Sequence, residues 1–303
     1  PEDNFSIRTE FGEQIPCNIT DLGKTFSYVL PRNSFRKPYY TRRLEIQFCA
    51  KDVNAVGYST YYIRKEKSSV SSRLKLDGFT AENDYVKLSV NSDGTYNLYD
   101  KASGNSLSDL GYFEYSGDKG DEYIYIPSGK IITTKNSKAD IKINKDNVKI
   151  EFIIKNSMCV PENSDDDTKE TKLALLTTVT LSETSKGVTV KTVIDNTAEN
   201  HRIRAIFQND IKTDVVYADG QYDLIERKIV PSSSWKNPDN SQRQQSFVML
   251  CNDKKSMIVA NRGLCEYEVL RDGKNTIALT LLRCIGFLGD WGVFPTPEAQ
   301  CQG

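Results

Sequence analysis

The sequence predicts an all-β protein built from packed antiparallel sheets. Three observations carry this reading. Apolar and polar residues alternate with period two in run after run. Clusters of Gly, Asn, Asp and Ser separate those runs at turn-like intervals. No long stretch carries the 3.6-residue apolar period of an amphipathic helix. Many strands with polar turns between them define a sandwich.

Taken in order, the first 70 residues read as short strands: FSIRTEF, IPCNI, FSYVL, RRLEIQFC and YSTYYIRKE. The polar, Ser- and Lys-rich run KEKSSVSSRLK (65–75) reads as a linker. It would divide a small β-domain, 1–70, from a large one, 71–303. Beyond it the alternation is longer: YVKLSV (85–90), ADIKIN (139–144), NVKIEFIIKN (147–156), GVTVKTVIDN (187–196), HRIRAIFQ (201–208), CEYEVLRD (265–272) and TIALTLLRC (276–284). These runs are rich in β-branched and aromatic residues, which suit a half-buried pleated surface. SDGT (92–95), ASGN (102–105), PSGK (127–130) and LRDGKN (270–275) read as turns. The acidic run ENSDDDTKE (162–170) reads as a solvated hairpin loop. Strands of nine or ten residues suggest two large sheets packed face to face.

Composition excludes several function classes. Forty basic and 41 acidic residues leave a net charge of −1, without the basic excess that nucleic acid or an anionic membrane attracts. No apolar run is long enough to span a bilayer, and no leader is visible at the N-terminus. His201 is the only histidine, so a metal site needing two histidines cannot be built from this chain alone. Seven cysteines at 17, 49, 159, 251, 265, 284 and 301, with no CxxC pair, read as buried free thiols of a reducing cytoplasm.

Three constellations could carry chemistry. GDKGDEYIYIPSG (117–129) sets Asp118, Asp121, Glu122, Tyr123 and Tyr125 beside glycines. Carboxylates and tyrosines bind sugar hydroxyls, and glycines allow close approach. The competing reading is a tight solvated turn. In DNTAENHRIRAIFQ (195–208), alternation puts His201, Ile203 and Ala205 on one face and Arg202, Arg204 and Ile206 on the other. The arginines could clamp an anionic or hydroxyl ligand, or pair with carboxylates across a sheet. His201 itself reads as a satisfied turn residue, and no GxSxG elbow supports a serine triad. In the third constellation (261–286), Arg283 stands in an apolar run and needs a partner.

At this point the pieces resemble, in order, the C-terminal β-region of a bacterial-type glycoside hydrolase family 38 α-mannosidase. FCAKDVNAVGYSTYYI (48–63), AENDYVKLSVNSDGTYNLYDKASGNSL (81–107), GDKGDEYIYIP (117–127) and IDNTAENHRIRAIF (194–207) carry the similarity. Tyr222, Asp223 and Arg227, then NRGLCEYEV, ALTLLRCIG and PTPEAQCQG (295–303), continue it. Any one piece would be weak; the ordered set is specific.

The resemblance implies a small β-sandwich followed by a large galactose-mutarotase-like antiparallel super-sandwich. It implies zinc-dependent, retaining hydrolysis of terminal α-mannosides through a covalent glycosyl-enzyme. The nucleophile and zinc ligands would belong to an N-terminal catalytic barrel of the same enzyme, so this chain holds no catalytic or metal residue of its own. Further strands would follow Gly303. Tyr123 falls where relatives place a tyrosine near bound mannose, with Asp121 and Arg283 as further candidates for the pocket wall. The expected partners are the barrel and an α-mannoside, with homo-oligomerisation left open and a cytoplasmic setting. Two rivals are a stand-alone carbohydrate-binding module and a mutarotase-like epimerase; the latter normally needs a His and Glu acid–base pair.

Overall fold

The computed structural model describes residues 4–51, 53–235, 240–289 and 295–303. Strands dominate, and Pro297–Gln300 forms a single turn of 3-10 helix. The chain divides into two compact units. One comprises Pro1–Lys87, Ile143–Glu151 and Thr180–Thr189; the other comprises Leu88–Lys142, Phe152–Val179 and Val190–Gly303.

In the first unit, Ser6–Thr9 lies between Gln14–Ile15 and Tyr61–Arg64, both antiparallel to it. Ile7, Ile15 and Cys17 form a small core, with Ile46, Phe48 and Tyr61 packed on it. Glu66, expected in a linker, is tied down. Its Oε1 accepts from Ser6 Oγ (2.5 Å), Arg8 Nε (2.7 Å) and Gln14 Nε2 (3.1 Å). Arg8 above all, with Ser6, holds this carboxyl at about 2.

Cys17–Val29 and Lys37–Phe48 form a long two-stranded ribbon. Two short strands, IPCNI and FSYVL, were the expectation for its first half. Gly23 (φ 81°) forms part of a bulge between Asp21 and Lys24, and one strand runs through both segments. A bulge keeps the strand running while twisting it.

The second unit is centred on a sheet with strand order Gln242–Arg243, Glu266–Val269, Ile277–Cys284, His201–Phe207, Ser106–Asp118 and Tyr96–Asp100. Pro127–Thr133 also pairs with Ser106–Asp118. That strand replaces the turn expected at PSGK, because Pro127 and Ser128 pair with Asp118 and Gly117. Val215–Asp219 pairs with Leu224–Lys228 and Phe247–Cys251, and the latter pairs with Ser256–Ala260.

Lys149–Asn163 and Asp166–Ser182 are neighbours in another sheet. Both strands run into the acidic segment expected as a loop, leaving a two-residue turn. Residues of these two strands, Met158, Val160, Leu173 and Leu175, meet Phe113, Tyr115, Ile203 and Ala205 of the central sheet in one core. The period-two faces read for Ile203 and Ala205 therefore point inward. Each fully buried aliphatic side chain contributes about 1.5–3 kcal/mol. This is the face-to-face sandwich that the alternation predicts.

Candidate functional site: the pinned 117–129 loop

Asp118 ends its strand wholly buried. Its Oδ1 accepts from Gly120 N (2.9 Å) and Ile126 N (3.1 Å), while its Oδ2 accepts from Arg283 Nε (2.7 Å). Asp121, also buried, closes an Asx turn: its Oδ1 accepts from Tyr123 N (2.7 Å) and Ile124 N (2.8 Å). Gly120 is required by space, since a Cβ there would lie 1.7 Å from Ile124 O.

Arg283 supplies the other half of the clamp. Its Nη2 donates to the carbonyls of Asp121 and Ile124, and its Nη1 to that of Glu122. A planar guanidinium matches this fan of acceptors in a way an ammonium cannot. Arg283 and Asp121 therefore shape the loop in this structure, and Tyr123 stands at its outside, 78% exposed. A Cβ added to Gly289 would come within 3.8 Å of the Tyr123 ring.

Tyr125 lies apart from Tyr123. The segment between Asp118 and Pro127 is irregular, so the two tyrosines do not share a strand face. Tyr125 is half-buried, donates to Ser116 Oγ (2.9 Å) and carries the Arg202 guanidinium 3.6 Å from its ring centroid.

The arginine face of His201–Phe207 pairs with carboxylates. Arg204 Nε donates to Glu114 Oε1 at 3.0 Å, its Nη2 to the same oxygen at 2.5 Å, and its Nη1 to Glu268 Oε2. Although burial opposes it, the attraction of Glu114 and Glu268 keeps the guanidinium pKa above its ordinary value. Arg202 Nη1 reaches Ser241 Oγ (3.3 Å) and Glu266 Oε1 (3.5 Å). Of the two sequence readings, cross-sheet pairing is the one observed.

His201 is fully buried, stacked on Tyr115 at 5.3 Å, and neither ring nitrogen makes a full hydrogen bond among the described residues. The satisfied turn residue expected from sequence is thus the enclosed first residue of a strand. Burial pushes its pKa down to about 4, with the Glu199 backbone pulling weakly upward. Among the described residues no three His, Cys, Asp or Glu side chains gather as metal ligands. The described residues do not fit a zinc site.

A second cluster, missed in the sequence, lies beside this loop. The Asn200 and Gln300 side-chain amides join at 2.7 Å, and Asn200 N donates to Gln300 Oε1 (2.9 Å). Asn200 Oδ1 also accepts from Gly286 N (2.9 Å). Asn196 Nδ2 donates to the carbonyls of Gln300 (2.9 Å) and Cys301 (3.1 Å). The two asparagines of DNTAEN thus fasten the PEAQ segment. Asn200 sits at φ 52°, a left-handed backbone that asparagine tolerates.

All seven cysteines are free. Only Cys17 and Cys284 are buried, against the expectation of buried thiols; Cys159 faces outward from its strand, and Cys265 and Cys301 lie exposed outside the strands. Tyr222 is fully exposed (φ 64°), and Arg227 Nη1 donates to Arg243 O (2.8 Å) and Tyr267 Oη (3.1 Å). No helix among the described residues is long and apolar enough to cross a membrane.

The chain is a member of glycosyl hydrolase family 38: the C-terminal domain 1 model matches residues 1–65, and the C-terminal domain model matches residues 81–287. It is 36% identical, over 98% of its length, to a putative mannosylglycerate hydrolase of Halalkalibacterium halodurans, of which it spans 36%. An alpha-mannosidase from Enterococcus faecalis V583 superposes on the whole chain with TM-score 0.87 and 30% identity, over 37% of that chain. A protein of glycosyl hydrolase family 38 from Enterococcus faecalis gives 0.83 and 28%, over 38% of its length. The chain thus spans little more than a third of these relatives.

Proposed function

We propose that this chain is the β-rich C-terminal part of a zinc-dependent retaining α-mannosidase acting on terminal α-mannosides. In this reading the nucleophile and zinc ligands lie in an N-terminal barrel of the same protein, and the chain alone is inactive. Residues 1–70 form its small β-domain and 71–303 its super-sandwich; the separate family-model matches to 1–65 and 81–287 support that division. Its role is to brace the barrel and lend one wall to the sugar pocket, through Tyr123.

The observation that carries the wall assignment is the clamp. Arg283, Asp118 and Asp121 fix the loop backbone through side chains, yet leave the Tyr123 ring exposed. A tyrosine held so can stack on a sugar face and hydrogen-bond a hydroxyl. Asp121 and Arg283 then support the wall by shaping the backbone. Seven free thiols support a reducing, cytoplasmic setting.

A second reading concerns the aglycone. The similarity to a putative mannosylglycerate hydrolase of Halalkalibacterium halodurans supports mannosylglycerate as the substrate in this reading. Comparing kcat/KM for p-nitrophenyl α-mannoside and mannosylglycerate in the intact enzyme, with and without chelator, decides between them. Chelator-insensitive turnover of both would contradict the zinc mechanism.

A further inference from the structure

Cys284 ends the strand Ile277–Cys284 wholly enclosed, whereas Cys301 is exposed and follows the 3-10 turn Pro297–Gln300. Backbone bonds hold the second segment on the end of that strand. Thr296 N donates to Gly286 O (2.8 Å) and Ile285 N to Ala299 O (3.4 Å). Asn196 N donates to Gly303 O (2.8 Å), and Gly303 N donates back to Asn196 O (3.0 Å). Cys301 N donates to Glu298 O (3.2 Å) with the residue at φ 51°, so its own backbone is fixed as the cap of the turn.

The two thiols meet inside this frame. The Asn196 amide reaches both residues: its Nδ2 donates to Cys284 Sγ (3.4 Å) and to Cys301 O (3.1 Å). Cys301 Sγ donates to Ala299 O (3.4 Å). The Cys284 and Cys301 thiols also hydrogen-bond to each other; burial above all, then the adjacent Cys301 sulfur, pushes the Cys284 thiol up to about 12. At neutral pH Cys284 is therefore protonated and shut away from solvent, and it reacts with what sits beside it. Cys301 is the member that meets a dissolved oxidant.

We propose that Cys284 and Cys301 form a reversible redox modification site, closed to a disulfide by a peroxide. The Cys301 thiolate attacks a peroxide oxygen, the O–O bond breaks, and a sulfenic acid and hydroxide form. The Cys284 sulfur then attacks the Cys301 sulfur, the S–O bond breaks, and hydroxide leaves with the Cys284 proton as water. Two thiols lose two electrons in all, and one hydrogen peroxide becomes two waters. In a reducing compartment such a bridge is transient, because dithiol reductants reopen it. Arg283, the residue before Cys284, holds the carbonyls of Asp121, Glu122 and Ile124, so the bridge braces the strand end that carries the clamp.

The test treats the intact protein with hydrogen peroxide and maps its cysteines by mass spectrometry of a non-reducing digest, which needs no variant. The peptides carrying Cys284 and Cys301 should emerge joined, and dithiothreitol should part them. Amide exchange over 299–303 should slow by about tenfold or more in the bridged form. In Cys284→Ala the sulfenic acid has no partner, so dimedone should label Cys301. In Cys301→Ala, Cys284 should stay unmodified under the same treatment. Recovery of both residues as free thiols, Cys301 joined to a different cysteine, Cys301 oxidised to sulfinic acid with Cys284 still free, or exchange unaltered by bridging would each overturn the proposal.

Discussion

Arg283 donates its Nε to Asp118 Oδ2 at 2.7 Å across the intervening strand His201–Phe207, and Asp118 is wholly enclosed. One guanidinium thereby holds a strand end and three loop carbonyls. Arg283→Leu strands a buried carboxylate as well as those carbonyls. Removing one partner of a buried pair costs about 3–5 kcal/mol. The expected result is a large fall in the urea midpoint of unfolding; a change within error would show that the clamp adds nothing.

Tyr123→Phe in the intact enzyme should leave the midpoint unchanged and lower kcat/KM. One hydroxyl contact to a sugar is worth about 0.5–1.5 kcal/mol, so the loss is roughly two- to tenfold. Tyr125→Phe should do the reverse. It removes the 2.9 Å bond to Ser116 and should cost about 1 kcal/mol of stability, with kinetics little altered. Unchanged kinetics for Tyr123→Phe would remove this residue from the pocket wall.

His201 sets a pH dependence. Its folded pKa of about 4 lies below the ordinary 6.5, so between those values the unfolded chain binds a proton that the fold refuses. Stability therefore falls as pH drops from about 6.5 towards 4 and levels below that. The ceiling is on the order of 3 kcal/mol. His201→Gln should flatten this window in urea titrations. A slope there equal to that of the unsubstituted protein would contradict the assignment.

Asn200→Ala loses the bonds to Gln300 and Gly286 and also places alanine at φ 52°. Amide exchange in 284–287 and 299–303 should quicken by about tenfold or more, as unmade buried bonds cost about 1–3 kcal/mol. Unaltered protection there would show that other contacts hold the segment.

The sandwich was legible because alternation reports burial directly. Ile203 and Ala205 face the core as their spacing requires; Arg202 and Arg204 lie on the opposite face, which is buried as well, and there they meet carboxylates. What alternation cannot report is what lies opposite. Arg283 announced a need for a partner, but Asp118 is remote in sequence and only the strand order brings them together. PSGK misled for a related reason: glycine marks both turns and strand irregularities, and strand pairing decides which. The Asn200–Gln300 join was hidden because neutral amides carry no periodicity or charge. Its signal was the two asparagines bracketing a short turn, which only a structure converts into contacts.

The most direct test compares the 303-residue chain with the intact protein on p-nitrophenyl α-mannoside, with added zinc and then with chelator. The account predicts turnover by the intact protein that chelator abolishes, and none by the isolated chain under either condition. Chelator-sensitive release of p-nitrophenol by the isolated chain would contradict it.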